Sequence, residues 1–110
     1  MSGCLFCDIV AHEKPARMVF EDEWCVAFED IHPHAPVHLL IVPRKHISSL
    51  NEDLSAEKEL LGHLLVVASK MAKKNGIDGQ GYRLIINTNA GAGQTIFHLH
   101  AHVLGGRIMR

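Results

Sequence analysis

Apolar and polar positions follow two different periods along this chain of 110 residues. Arg17–Glu21 and Trp24–Phe28 are short stretches rich in apolar, β-branched and aromatic residues, separated by Asp22-Glu23. They predict two strands joined by a tight turn. The segment from Asp30 to Pro36 carries two prolines and ends that run. Between Pro36 and Pro43, Val37–Val42 is an apolar segment too short for a helix and suited to a central strand. From Asp53 the period lengthens. Leu60, Leu61, Leu64, Leu65, Val67, Ala68, Met71 and Ala72 fall on one side of a 3.6-residue helix, with Lys58, Lys70, Lys73 and Lys74 opposite. Asp53 or Ser55 is the expected N-cap and Asn75-Gly76 the expected stop. Tyr82–Asn87 and Phe97–Leu104 predict two more strands around the glycine-bearing loop Thr88–Thr95.

Paired strands, one long helix and a second pair of strands predict a single α+β domain with a mainly antiparallel sheet, one face covered by the helix. The apolar arc of that helix spans about 160°, wider than the roughly 100° one sheet requires, and Val66 lies outside it. Two readings stay open: a second buried surface, hence a homodimer, or a broad core stripe with one exposed valine.

Composition narrows the function classes. Hydrophobic residues make up 47% and charged residues 21%, which fits a globular chain and excludes disorder. The longest apolar runs, Trp24–Phe28 and Leu64–Ala68, fall far short of the roughly 20 residues that span a bilayer. The N-terminal residues carry no basic-then-apolar signal, so a cytoplasmic location is expected. A formal charge of −1 gives no electrostatic footprint for a nucleic-acid polymer or an anionic membrane, so a small partner is expected. Three cysteines, an odd number, point to reduced thiols.

The chemistry concentrates in nine histidines. In Phe97-His98-Leu99-His100-Ala101-His102-Val103-Leu104, imidazole alternates strictly with aliphatic residues. On a strand this sends His98, His100 and His102 to one face, with neighbours about 6.5 to 7 Å apart. One reading makes the row a metal site whose bound water attacks a substrate. The other makes one imidazole a nucleophile toward phosphorus, since a ring with pKa near 6.5 is mostly unprotonated at pH 7. The preceding loop Asn89–Thr95 carries Gly91 and Gly93, whose backbone N–H groups can approach an anion, and this favours phosphorus chemistry. Cys4 and Cys7 form a CxxC with no strand before it, which argues against a redox pair; the spacing suits zinc if two further ligands exist.

The run from His98 to Leu104 resembles the histidine-triad signature, and Gly105-Gly106-Arg107 resembles that of its nucleotide-binding (Hint) branch. The resemblance extends through Phe28–Pro33, Ala35–His38, Pro43–Ile47 and Gly93–Thr95. It implies a five-stranded sheet with one short N-terminal and one long central helix, in a homodimeric hydrolase of purine nucleoside phosphoramidates or related α-phosphate linkages. By the same match His100 is the nucleophile, His102 contacts phosphate and assists proton transfer, and His38 and His98 complete the imidazole cluster. Asn87, Gly93, Gln94 and Thr95 match the positions around the phosphate and leaving group. Asp30 matches the ribose acceptor, and Phe6, Ile9, Phe28, Ile31 and Leu40 the apolar base pocket. Zinc-bearing relatives hold their metal at positions matching Cys4, Cys7, His46 and His98, which implies a structural Cys2His2 site and moves His98 from catalysis to scaffolding. Thr95 stands where Ser is common. His12, His32, His34 and His63 match no functional position, and most of them are expected to face solvent.

Overall fold

A computed structural model of the chain describes residues 3–109, and the outer limits of the expected domain, residues 1 and 110, lie outside them. The elements are α1 (Leu5–Val10), β1 (Met18–Glu21), β2 (Cys25–Glu29), β3 (Val37–Pro43), α2 (Lys58–Lys74), β4 (Tyr82–Ile85) and β5 (Ala101–Gly105), with a short 3₁₀ turn at Ala90–Ala92. The five strands form one antiparallel sheet in the order β1-β2-β3-β5-β4. The expected α+β architecture, with its short N-terminal and long central helix, is the observed one. Among the described residues no helix is long and apolar enough to cross a membrane.

Period-2 alternation divides the core into two layers. Cys25, Ala27, Leu39, Ile41, Ala101 and Val103 face α2, where Leu60, Leu64, Val67, Ala68 and Met71 meet them. On the other face Val26, Phe28, Leu40 and Val42 pack under Phe6 and Ile9 of α1. Each fully buried aliphatic side chain contributes about 1.5–3 kcal/mol, so the α2 layer carries most of the stability and leaves the other face to the site.

Several element ends differ from expectation. The last strand begins at Ala101, not Phe97. Opposite it, β3 ends at Pro43, which has no N–H to extend the ladder past Ile41↔Ala101, and the N–H of Leu99 donates to the carbonyl of Ile47 instead. β4 then stops at Ile85, because its last partner is His102. The long helix has Glu57 at its N-cap, without a capping side chain. Asp53 and Ser55 form a local turn instead, the Ser55 N–H and hydroxyl both donating to Asp53 Oδ1. The Asn75-Gly76 stop is present: Asn75 Nδ2 donates to the Met71 carbonyl, and Gly76 takes a left-handed φ of 72°.

Candidate active site and metal-ligand cluster

The sheet face away from α2 floors a cavity of about 790 Å³. β3 contributes His38 and Leu40, which pair in register with Leu104 and His102 of β5, so His38 and His102 share that face. The Nε2 of His38 lies 2.9 Å from Nδ1 of His102 and 3.3 Å from Asp30 Oδ2. His100 sits just before the strand, its ring 5.0 Å from that of His102 and edge-on to Phe6 at 4.9 Å.

Hydrogen bonds assign the tautomers of this group. The His100 Nδ1–H donates to the carbonyl of His98 at 2.7 Å, which leaves the lone pair on Nε2. The backbone N–H of His34 donates to His38 Nδ1 at 3.0 Å, so His38 carries its proton on Nε2 and can donate to Nδ1 of His102. His102 then holds its own proton on Nε2. Burial lowers the pKa of His100 against the opposing effects of its backbone hydrogen bond and Asp30. Burial likewise lowers His38, although Asp30 opposes it. His102 falls to about 4, through burial first and then the neighbouring His100 and His38 rings. All three are neutral at pH 7. The cluster offers one ring nitrogen free to attack and a neighbouring ring N–H free to donate.

The remaining expected residues mostly gather here. Asp30, Ile31, Phe6, Ile9, Phe28, Leu40, Asn87, Gly93 and Thr95 line the cavity together with His38, His100 and His102. Phe6 and Phe28 meet edge to face at 5.4 Å, forming an apolar end beside the Asp30 carboxylate. Gln94 is a correction: it is 3% exposed and does not line the cavity. Its Oε1 accepts from the Asn89 N–H, and its Nε2 donates to the carbonyls of Ser48 and Ile96, so it braces the loop from inside. That loop turns on Asn89 and Gly93, whose φ values of 73° and 94° are left-handed. His34 is a second correction, because its backbone serves His38 and it lines the cavity with His32. Of the four histidines mostly expected in solvent, His63 is the one that is half-buried, 2.6 Å from Asp22 Oδ2 and against Trp24. Leu5, Pro15, Ala16, Arg83, Arg107 and Met109 also line the cavity and were not expected. The period of β4 puts Arg83 opposite Leu104, a signal the sequence did carry.

Cys4, Cys7, His46 and His98 form a separate cluster whose donor atoms all lie within 4.8 Å of one another. His98 Nδ1 lies 3.4 Å from Cys4 Sγ, 3.5 Å from Cys7 Sγ and 3.3 Å from His46 Nδ1, and Cys7 Sγ lies 3.3 Å from His46 Nδ1. A tetrahedron with metal–sulfur bonds of about 2.3 Å and metal–nitrogen bonds of about 2.0–2.1 Å has S···N edges near 3.5 Å and N···N edges near 3.3 Å. The donors therefore fit a metal ion. Cys4 caps α1, its sulfur accepting from the Cys7 N–H. Both ring nitrogens of His98 are occupied here, Nδ1 in the cluster and Nε2 at the Pro43 carbonyl, so this ring does not face the cavity.

Comparison with known proteins agrees with this geometry. The family described as HIT domain matches residues 11–109. An uncharacterized HIT-like protein of Synechocystis is 48% identical over 103 residues, covering 94% of this chain and 90% of its own. The crystal structure of a HIT family hydrolase from Legionella pneumophila superposes with a TM-score of 0.97 at 49% identity, over 98% of this chain and 96% of that one. A zinc-bound histidine triad family protein from Mycobacterium smegmatis superposes with a TM-score of 0.83 at 31% identity, over 96% and 76%.

Proposed function

This chain belongs to the HIT domain family, and from that membership and the histidine geometry we propose that it is a hydrolase of purine nucleoside 5′-phosphoramidates or related α-phosphate linkages. The observation that carries the reading is the His100 Nδ1–H donating to the His98 carbonyl, which commits Nε2 of the same ring to be the nucleophile. The base lies among Phe6, Ile9, Phe28, Ile31 and Leu40, and Asp30 accepts from the ribose hydroxyls. Asn87, Gly93 and Thr95 hold the phosphate.

His100 Nε2 forms a bond to the α-phosphorus as the P–N bond breaks. The departing amine keeps the bonding electron pair and takes a proton from His102 Nε2, which a solvent proton replaces so that the ring stays neutral. Water then attacks the nucleotidyl-histidine, its surplus proton passes to solvent, and the N–P bond breaks to release nucleoside monophosphate and restore the imidazole. His38 holds His102 in the donating tautomer. His98 acts as scaffold.

Zinc is the metal this reading assigns to Cys4, Cys7, His46 and His98, in a closed structural site that fixes α1 beside the cavity. The working form is a homodimer in the cytoplasm, each chain a single domain over residues 1–110. Its contact uses the edge strand β4 and the outer face of α2, where Leu65, Val66 and Leu84 are 50%, 48% and 38% exposed.

The test is acid quench during turnover of adenosine 5′-phosphoramidate, followed by mass spectrometry of the peptide bearing His100. A nucleotidyl adduct on His100 is expected, and His100→Ala should keep AMP binding while turnover falls by at least roughly 10³-fold. Normal turnover in that variant would sink the reading. A second reading draws on Asp30, His38 and His102, whose donor atoms lie within 4.8 Å and could hold a catalytic metal; it requires that turnover stop on chelation with no adduct formed.

A further inference from the structure

We propose that Arg107 is a positioning residue that sets the tautomers of the His38–His102 pair through the backbone of His34. This rests on the reading of His102 as the proton donor to the leaving group. The connection is continuous. The Arg107 Nη2 donates to the carbonyl oxygen of His34 at 2.8 Å, and its Nη1 donates to the carbonyl of Ile108 at 3.1 Å. The N–H of the same His34 donates to His38 Nδ1 at 3.0 Å, and His38 Nε2 lies 2.9 Å from His102 Nδ1. The peptide units on both sides of the His34 Cα are thus fixed, one by the guanidinium and the other against the imidazole.

The chain is shaped to allow this contact. Gly106 has a φ of 93°, and a Cβ there would lie 2.9 Å from Pro36 Cβ, so glycine lets the exit of β5 press against the 30–36 loop. That closeness brings Arg107 to a loop that its own strand does not pair with. Arg107 is exposed, so removing its side chain opens no core cavity.

Its effect on the site follows from hydrogen-bond direction. With the His34 N–H in place, His38 Nδ1 must accept, His38 Nε2 must donate, and His102 Nδ1 must accept. His102 therefore presents an N–H at Nε2. If the loop releases its N–H, only Asp30 Oδ2, 3.3 Å from His38 Nε2, still favours a proton there, and His38 can move its proton to Nδ1. Two lone pairs would then face each other between His38 Nε2 and His102 Nδ1, and His102 relieves this by moving its own proton to Nδ1. Its Nε2 then faces the substrate as an acceptor and cannot protonate a leaving amine.

The experiment is nitrogen-15 NMR of the histidine rings in Arg107→Ala and Arg107→Lys, read beside kcat and KM for adenosine 5′-phosphoramidate. In Arg107→Ala, the His102 signals are expected to shift from the Nε2–H toward the Nδ1–H tautomer. kcat should fall about tenfold or more, part of the roughly 10²–10⁴ that a positioned proton donor contributes, a loss read apart from any change in KM because Arg107 also lines the cavity. Lysine, which keeps one donor, should restore part of the effect, and sub-denaturing guanidinium ion should restore both tautomer and rate in Arg107→Ala. Unchanged His38 and His102 tautomers in a folded Arg107→Ala protein would overturn the assignment whatever the rate. A tautomer shift without loss of turnover would uphold the link and instead remove the donor role from His102.

Discussion

His98 donates from Nε2 to the carbonyl oxygen of Pro43 across 2.8 Å, and this bond turns the other ring nitrogen toward Cys4 and Cys7. A backbone acceptor of this kind fixes both tautomer and ring direction of a metal-ligating histidine. Protein purified without added metal should therefore carry about one zinc per chain by elemental analysis. Cys4→Ser should lose it and melt about 10 °C lower, since ligand loss removes binding energy that is also folding energy. A Cys4→Ser protein retaining full metal occupancy would rule the cluster out as its site.

Asp22 organises the β1–β2 turn. Its Oδ1 accepts from the backbone N–H groups of Trp24 and Cys25, each at 2.8 Å, while Oδ2 faces His63. Asp22→Ala should cost about 1–2 kcal/mol in urea unfolding, and Asn, which keeps the turn-side oxygen, should cost less. Equal losses would show that the turn bonds contribute nothing. Burial raises the pKa of Asp22, but the His63 and backbone hydrogen bonds outweigh it and leave the carboxyl lowered. This contribution is present above the unfolded pKa and is lost as pH falls through the lower folded value, so Asp22→Ala should track the parent protein more closely in strong acid.

The pH dependence of stability should carry a second signature, from His102. Its folded pKa of about 4, set first by burial, lies below the roughly 6.5 of an unfolded histidine. The unfolded chain therefore takes up the proton first as pH falls. Stability from the neutral ring is complete above about pH 6.5 and declines steadily toward pH 4. Thermal midpoints between pH 7.5 and 4 should fall less steeply in His102→Asn than in the parent. Parallel curves would contradict the assigned shift.

For the proposed homodimer, Val66→Glu combined with Leu84→Glu should yield monomers in sedimentation velocity at concentrations where the parent chain is dimeric. The single-chain core should survive, because both side chains are exposed. An unaltered sedimentation coefficient would place the contact elsewhere.

The sheet was legible because Trp24–Phe28 and Val37–Val42 are apolar runs of strand length and the alternation from Phe97 to Leu104 gives the histidine row its direction, whereas β2 and β3 are buried on both faces and carry no alternation that assigns their sides. The early end of the ladder was less visible. It depends on Ile41 pairing with Ala101, which puts Pro43 where the ladder would otherwise continue, a register that only folding establishes. Gln94 was misplaced because an amide beside two glycines reads equally well as a ligand contact or a brace, and burial decides between them. His34 escaped because its contribution is a backbone N–H, which every residue but proline carries and no side-chain pattern reveals. Arg107 follows two glycines in sequence, with nothing to indicate that the carbonyl it reaches belongs to a loop 73 positions away.

Helix α1 has six residues, too few to hold its shape alone in water. Yet Phe6 and Ile9, which wall the apolar end of the cavity, are carried on it, and Cys4 and Cys7 bracket Phe6. The anchor and the wall are therefore one turn of backbone. Without the proposed zinc, the wall formed by Phe6 and Ile9 would lose its anchor while the sheet beneath it stayed in place.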